Sequence, residues 1–139
     1  MNHKKSKLEH IGLTLVLLMV LLQGFYGVFA YIDPLAFSHI RGTELFSPMD
    51  ADWINIYGSR TIFITLTLGF LLYSRHYSIL MWCALFGIVM PVTDGVLAYQ
   101  ADAPLQVVAK HIATVVYLVI IFFVLQRVVA ETDQQEHQT

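Results

Sequence analysis

The chain has 139 residues, of which 57% are hydrophobic and 13% charged, and its mean hydropathy is +0.64. That apolar share is more than a water-soluble domain can hide, and the length allows a single domain, 1–139. A formal net charge of −2 gives no electrostatic footing for a nucleic-acid partner, and one cysteine, Cys83, excludes an internal disulfide and a cysteine-based metal site.

Four apolar runs have about the ~20 residues that a helix needs to cross ~30 Å of hydrocarbon, and they are expected to span at 11–31, 53–73, 78–99 and 105–129. The first follows Lys4, Lys5 and Lys7. Its basic start, apolar run and the small residues near Ala30 also resemble a cleavable signal peptide. The apolar stretch continues through Phe25, Tyr26 and Phe29, however, and Gly24 and Gly27 suit close helix packing, so an uncleaved span is expected.

The link that follows carries its own start and stop signals. Asp33 before Pro34 reads as an N-cap with proline at the first helical position, and Gly42 supplies the stop. A short amphipathic helix from Pro34 to Arg41 follows, with Leu35, Phe37 and Ile40 available to rest on the membrane or the bundle. Ser47-Pro48-Met49-Asp50 repeats the signal as a capping box, so the second long helix is expected to begin near Pro48.

The third run contains Pro91 and Asp94, and the fourth Lys110 and His111. Pro91 cannot donate to the Gly87 carbonyl, which predicts a kink just below Asp94. Short links around Ser74-Arg75-His76 and Ala101–Pro104 make successive spans antiparallel neighbours. The polar ends, Met1–Lys7 and Glu131–Thr139, are expected to fray, and Cys83 to be a small core residue.

Arg75 and Arg127 join the N-terminal lysines on one side, whereas the link from Ile32 to Trp53 holds Asp33, Glu44, Asp50 and Asp52 against Arg41 alone. By the positive-inside rule both termini are expected in the cytoplasm, in a bacterial-type inner membrane. Trp53 and Tyr57 outside, and Tyr73, Tyr77 and Trp82 inside, fit aromatic belts. The expected fold is all-α: a four-helix transmembrane bundle with a short external amphipathic helix between the first and second spans.

Threading the chain through a bilayer brings the intramembrane polar residues to one depth. Arg60 lies ~10 Å below Trp53, Asp94 ~8 Å below Tyr99, and Lys110 and His111 ~8–10 Å below Leu105, with Gln23 ~12 Å below Tyr31 as a floor. Helical spacing adds Tyr57 with Thr61 and Thr65 on one face, and Thr114 and Tyr117 on the face of Lys110. Such residues are rare in spans and face the bundle interior, so Arg60, Asp94, Lys110, His111, Gln23, Tyr57 and Thr114 are the candidate ligand-binding set. The plainer alternative is an Arg60–Asp94 ion pair holding two helices together while Lys110 snorkels outward and His111 hydrogen-bonds across the bundle. No HExxH motif, paired carboxylates or nucleophile elbow is present, and His39 is the only further ligand available to a metal on that side. Tyr26, Tyr31, Tyr57 and Tyr117 read as belt or core residues rather than a cofactor box.

Gly24-Phe25-Tyr26-Gly27 leading into Asp33-Pro34, Tyr57-Gly58-Ser59-Arg60 opening the second span, an acid late in the third and a His early in the fourth resemble the small DoxX-like four-helix membrane proteins, in a largely uncharacterised branch. The resemblance covers roughly Leu8–Val129 and implies a four-helix bundle. The group's namesake is linked to a quinone-reducing complex, but this chain has no cysteine pair, haem motif or nucleotide fingerprint, and no cofactor is assigned.

The leading functional expectation is a polar pocket in the outer leaflet that binds a small amphipathic or lipid-like ligand, with the protein as an accessory of a larger membrane complex. A second is proton-coupled transport of small molecules by a homo-oligomer, with Asp94 and His111 as the coupling pair. A third is a membrane-embedded enzyme using Asp94 or His111 as acid/base and Arg60 to stabilise negative charge.

Overall fold

A computed structural model of the chain describes residues 7–45 and 47–136. Along these run α1 (Lys7–Ile32), α2 (Pro34–Arg41), one 3-10 turn (Pro48–Asp50), α3 (Ala51–Tyr73), α4 (Tyr77–Gly87), α5 (Val89–Gln100) and α6 (Leu105–Glu136). No strand forms among the described residues. Four stretches are long and apolar enough to cross a membrane: α1, α3, α4 continued by α5, and Leu105–Thr132 of α6. Large apolar side chains such as Phe63 (69% exposed) and Phe86 (67%) stand on the outside of the bundle, where lipid rather than water suits them. The protein is a multi-pass, all-α membrane protein.

Local signals set the helix limits. The Asp33 carboxylate accepts the Ala36 N–H (2.9 Å) at the start of α2, and Gly42, at φ 90°, ends it. There the Gly42 N–H donates to the Ser38 and His39 carbonyls and the Thr43 N–H reaches back to Ser38, a Schellman closure. The capping box before α3 is reciprocal, because Asp50 accepts the Ser47 N–H (2.8 Å) while the Ser47 hydroxyl accepts the Met49 N–H (3.1 Å). It shapes the 3-10 turn, and α3 proper starts at Ala51.

In the third span α4 stops at Gly87, and the Ile88 N–H donates to Leu85 (3.3 Å) in an i to i−3 bond. Pro91, which has no N–H for the Gly87 carbonyl, accounts for this break one turn before it and below Asp94. At the far end α6 stays helical through Glu136, so the expected fraying from Glu131 is corrected; Glu and Gln are good helix formers and no breaker intervenes. Residues 1–6 and 137–139, where fraying was also expected, lie outside the described residues.

Packing follows where side chains let backbones approach. α1 lies against α3 most extensively, and a Cβ on Gly27 would stand 2.9 Å from the Ile62 side chain while one on Gly58 would stand 3.1 Å from the Gly27 carbonyl oxygen. α6 packs on α4, α5 and α1, and the Tyr117 hydroxyl donates to the Leu15 carbonyl (2.8 Å). Near the termini, Tyr77 donates to Glu9 (2.7 Å). By contrast α3 meets α4 only slightly and α5 less still, although a short turn joins α3 to α4. The two spans expected to lie side by side therefore diverge, and the divergence leaves room between α3 and α5. Two apolar cores flank that room: Val16, Met19, Leu80, Ala84, Leu118, Ile121 and Leu125 towards the termini, and Ala30, Phe37 and Ile54 beneath α2.

Candidate functional site

The room between α3 and α5 is a cavity of about 500 Å³, within the usual ~300–1,000 Å³ of small-molecule sites. α1 supplies Met19, Leu22, Gln23 and Tyr26, α3 supplies Tyr57, Arg60, Thr61 and Ile64, and α6 supplies Lys110, His111 and Thr114. Met90, Pro91, Thr93 and Asp94 come from α5, while Phe37, Ile40 and Arg41 of α2 close the end. All seven residues singled out from the sequence line this one cavity. They come together because helices of constant rise starting from one interface place equal residue counts at equal depth.

Their partners differ from those weighed on the sequence. The Asp94 carboxylate takes a hydrogen-bonded ion pair from Arg41 at 2.6 Å, and the two side chains are only 18% and 25% exposed. The Arg60–Asp94 pair does not form, because α2 folds back over the bundle and its guanidinium reaches the carboxylate first. Arg41 also lies 4.6 Å above the Tyr57 ring, so Tyr57 is turned inward rather than standing in an aromatic belt. Trp53 and Tyr73, at 73% and 88% exposed, are outward-facing as expected.

The rest of the polar set holds the same short helix. The Schellman closure satisfies the Ser38 and His39 carbonyls, which leaves those of Ile40 and Arg41. Lys110 donates its ammonium to the Ile40 carbonyl rather than snorkelling outward. His111 is buried, and its Nε2 lies 3.4 Å from the Arg41 carbonyl oxygen, an acceptor, so the contact needs the proton on Nε2. Basic groups thus face the negative end of the α2 dipole. Gly95 makes this possible, since a Cβ there would stand 3.2 Å from that of His111. Aromatic contacts fix the other half of α2: Phe37 packs edge-on against Tyr26 and Phe29 and at 5.3 Å from Tyr57.

Four side chains, Arg60, Gln23, Thr61 and Thr114, face the cavity with capacity to spare. Arg60 is exposed at its open side and makes no ion pair or hydrogen bond among the described residues. The Gln23 amide has only a weak contact to the Met19 sulfur at 4.0 Å. Thr61 and Thr114 donate to carbonyls one turn back, at 2.9 Å each, and retain acceptor capacity. Asp94 and His111 each bind Arg41 and not one another. Among the described residues no group of three His, Cys, Asp or Glu is placed to hold a metal ion.

Arg41, Phe37 and Tyr26 are among the lining residues outside the seven expected from the sequence. The available signal was that Arg41 is the only base in an acidic link and follows Phe37 by four, on one face of α2.

No curated protein and no solved structure matches the chain. A family model described as a domain of unknown function, DUF4267, matches residues 20–125, a stretch that contains every one of the seven site residues, and the chain belongs to that family.

Proposed function

We propose that the cavity is a binding site for a small amphipathic, lipid-like molecule. The observation that carries this reading is the cavity itself: a mainly apolar chamber inside a membrane bundle, with Arg60, which has no ion pair among the described residues, and the weakly held Gln23 amide at its wall, and a helix across its end. A molecule with a polar head and an apolar body matches such a lining, and an accessory role in a larger membrane complex is compatible with it. The test is thermal stabilisation of the protein in lipid nanodiscs by a panel of lipids, quinones and amphipathic drugs. At least one compound should stabilise the native chain and lose its effect in Met90→Trp, which fills the mouth at a position 42% exposed. Equal stabilisation of both proteins by every compound would count against the site.

We further propose, from the distribution of Lys and Arg, that both termini face the cytoplasm across an inner membrane and that the cavity lies in the outer half of the bilayer. In a Cys83→Ala background, His39→Cys should react with a membrane-impermeant maleimide on intact cells and Arg75→Cys should not. The reverse pattern would invert the orientation.

A further inference from the structure

Arg41, Arg60 and Lys110, with His111 held at the Arg41 carbonyl, line the cavity against one carboxylate, Asp94. Asp94 is taken by Arg41, and Lys110 is spent on the Ile40 carbonyl. Arg60 is left as a cation without a protein counter-charge among the described residues. It stands nine residues into α3, ~13 Å from the start of that helix, on a spanning segment where an unneutralised guanidinium is costly. The missing complement is an anion.

The surroundings restrict what carries that anion. Val89 and Met90 on the opposite side of the opening are 68% and 42% exposed, so the cavity opens sideways between α3 and α5, towards lipid, past an apolar lip. A small water-soluble anion gains nothing from such a lip. A chain does, because it can lie between the two helices while its head stays beside Arg60.

Resting on the cavity reading above, we infer that the ligand is an anionic single-chain amphiphile, with a carboxylate or phosphate head paired to Arg60 and its chain leaving between α3 and α5. Bidentate geometry suits arginine to either head, and Gln23 can donate to a head oxygen from the floor.

The inference is tested in nanodiscs of zwitterionic lipid with dodecanoate, dodecyl phosphate, neutral 1-dodecylglycerol, dodecyltrimethylammonium and inorganic phosphate alone, read by native mass spectrometry and thermal shift. The two anionic dodecyl compounds should bind about tenfold or more tightly than the neutral and cationic ones. Arg60→Gln should remove that difference, and Arg60→Lys, which keeps the charge, should keep most of it. Equal binding of all the dodecyl compounds to the native chain, or an Arg60→Gln variant as selective as the native one, overturns the anionic head while leaving the cavity reading standing. Inorganic phosphate binding as tightly as dodecyl phosphate overturns the chain. Binding by none of them, with no stabiliser found in the wider panel either, overturns both readings.

Discussion

Arg41 shows why a sequence can place a site and still mispair it. Depth depends only on residue count from an interface, so Arg60, Asp94, Lys110, His111 and Gln23 could be set around one cavity from the sequence. Pairing depends on direction, and the partner of Asp94 is 53 positions away on a helix that turns back across the bundle. One residue of helix is ~100° of rotation, which is enough to carry Arg60 from the Tyr57–Thr61 face to the open side. The Arg41–Asp94 pair then has a definite stability consequence. Arg41→Met leaves a mostly buried carboxylate without its counter-charge, and should cost about 2–4 kcal/mol of unfolding stability in detergent. Arg41→Met with Asp94→Leu should recover most of that loss, because neither charge is then stranded. A double variant no more stable than the Arg41→Met single would show that the pair is not what holds α2.

At the level of elements, α2 was the most legible part of the chain. Its start and stop were encoded by Asp33, Pro34 and Gly42, three residues whose backbone preferences act locally and override nothing. The break in the third span was legible for the same reason, since Pro91 removes one donor wherever the helix lies. What the sequence did not reveal was where α2 rests, because an eight-residue amphipathic helix fits a membrane surface or a bundle equally well. The docking is set by tertiary fit. Gly42 sits where a Cβ would come within 2.6 Å of Val107 and 3.2 Å of Ala98, so the end of α2 is pressed into the α5–α6 corner. Nor could link length reveal that α3 swings away from α5. A short turn fixes where two helices start, and the Gly27–Gly58 approach then draws α3 towards α1. The cavity results from that choice of neighbour, and all four spans contribute to its wall or to the cores that flank it.

For the molecule as a whole, the same apolar surplus that identified a membrane protein also fixes how its surface responds to substitution. In water, an exposed apolar residue replaced by arginine changes stability little. On a lipid-facing surface near mid-span the same change costs about 2.5–3.5 kcal/mol on insertion scales. Phe63 separates the two cases: it is 69% exposed and lies near the middle of α3, away from the cavity lining. α3 is also the least apolar of the four spans, with a hydropathy of 1.3 against 1.8 to 2.4 for the others, so it has the smallest reserve against an added charge. Phe63→Arg should therefore sharply reduce the fraction of protein that resists alkaline extraction from membranes, whereas Phe63→Leu should not. The loss should exceed that from Arg41→Met, which disturbs only the end of the bundle where α2 docks and leaves the spans inserted. Normal membrane accumulation of Phe63→Arg would mean that this face of α3 meets protein or water rather than hydrocarbon, and the opening between α3 and α5 would then no longer lead into lipid.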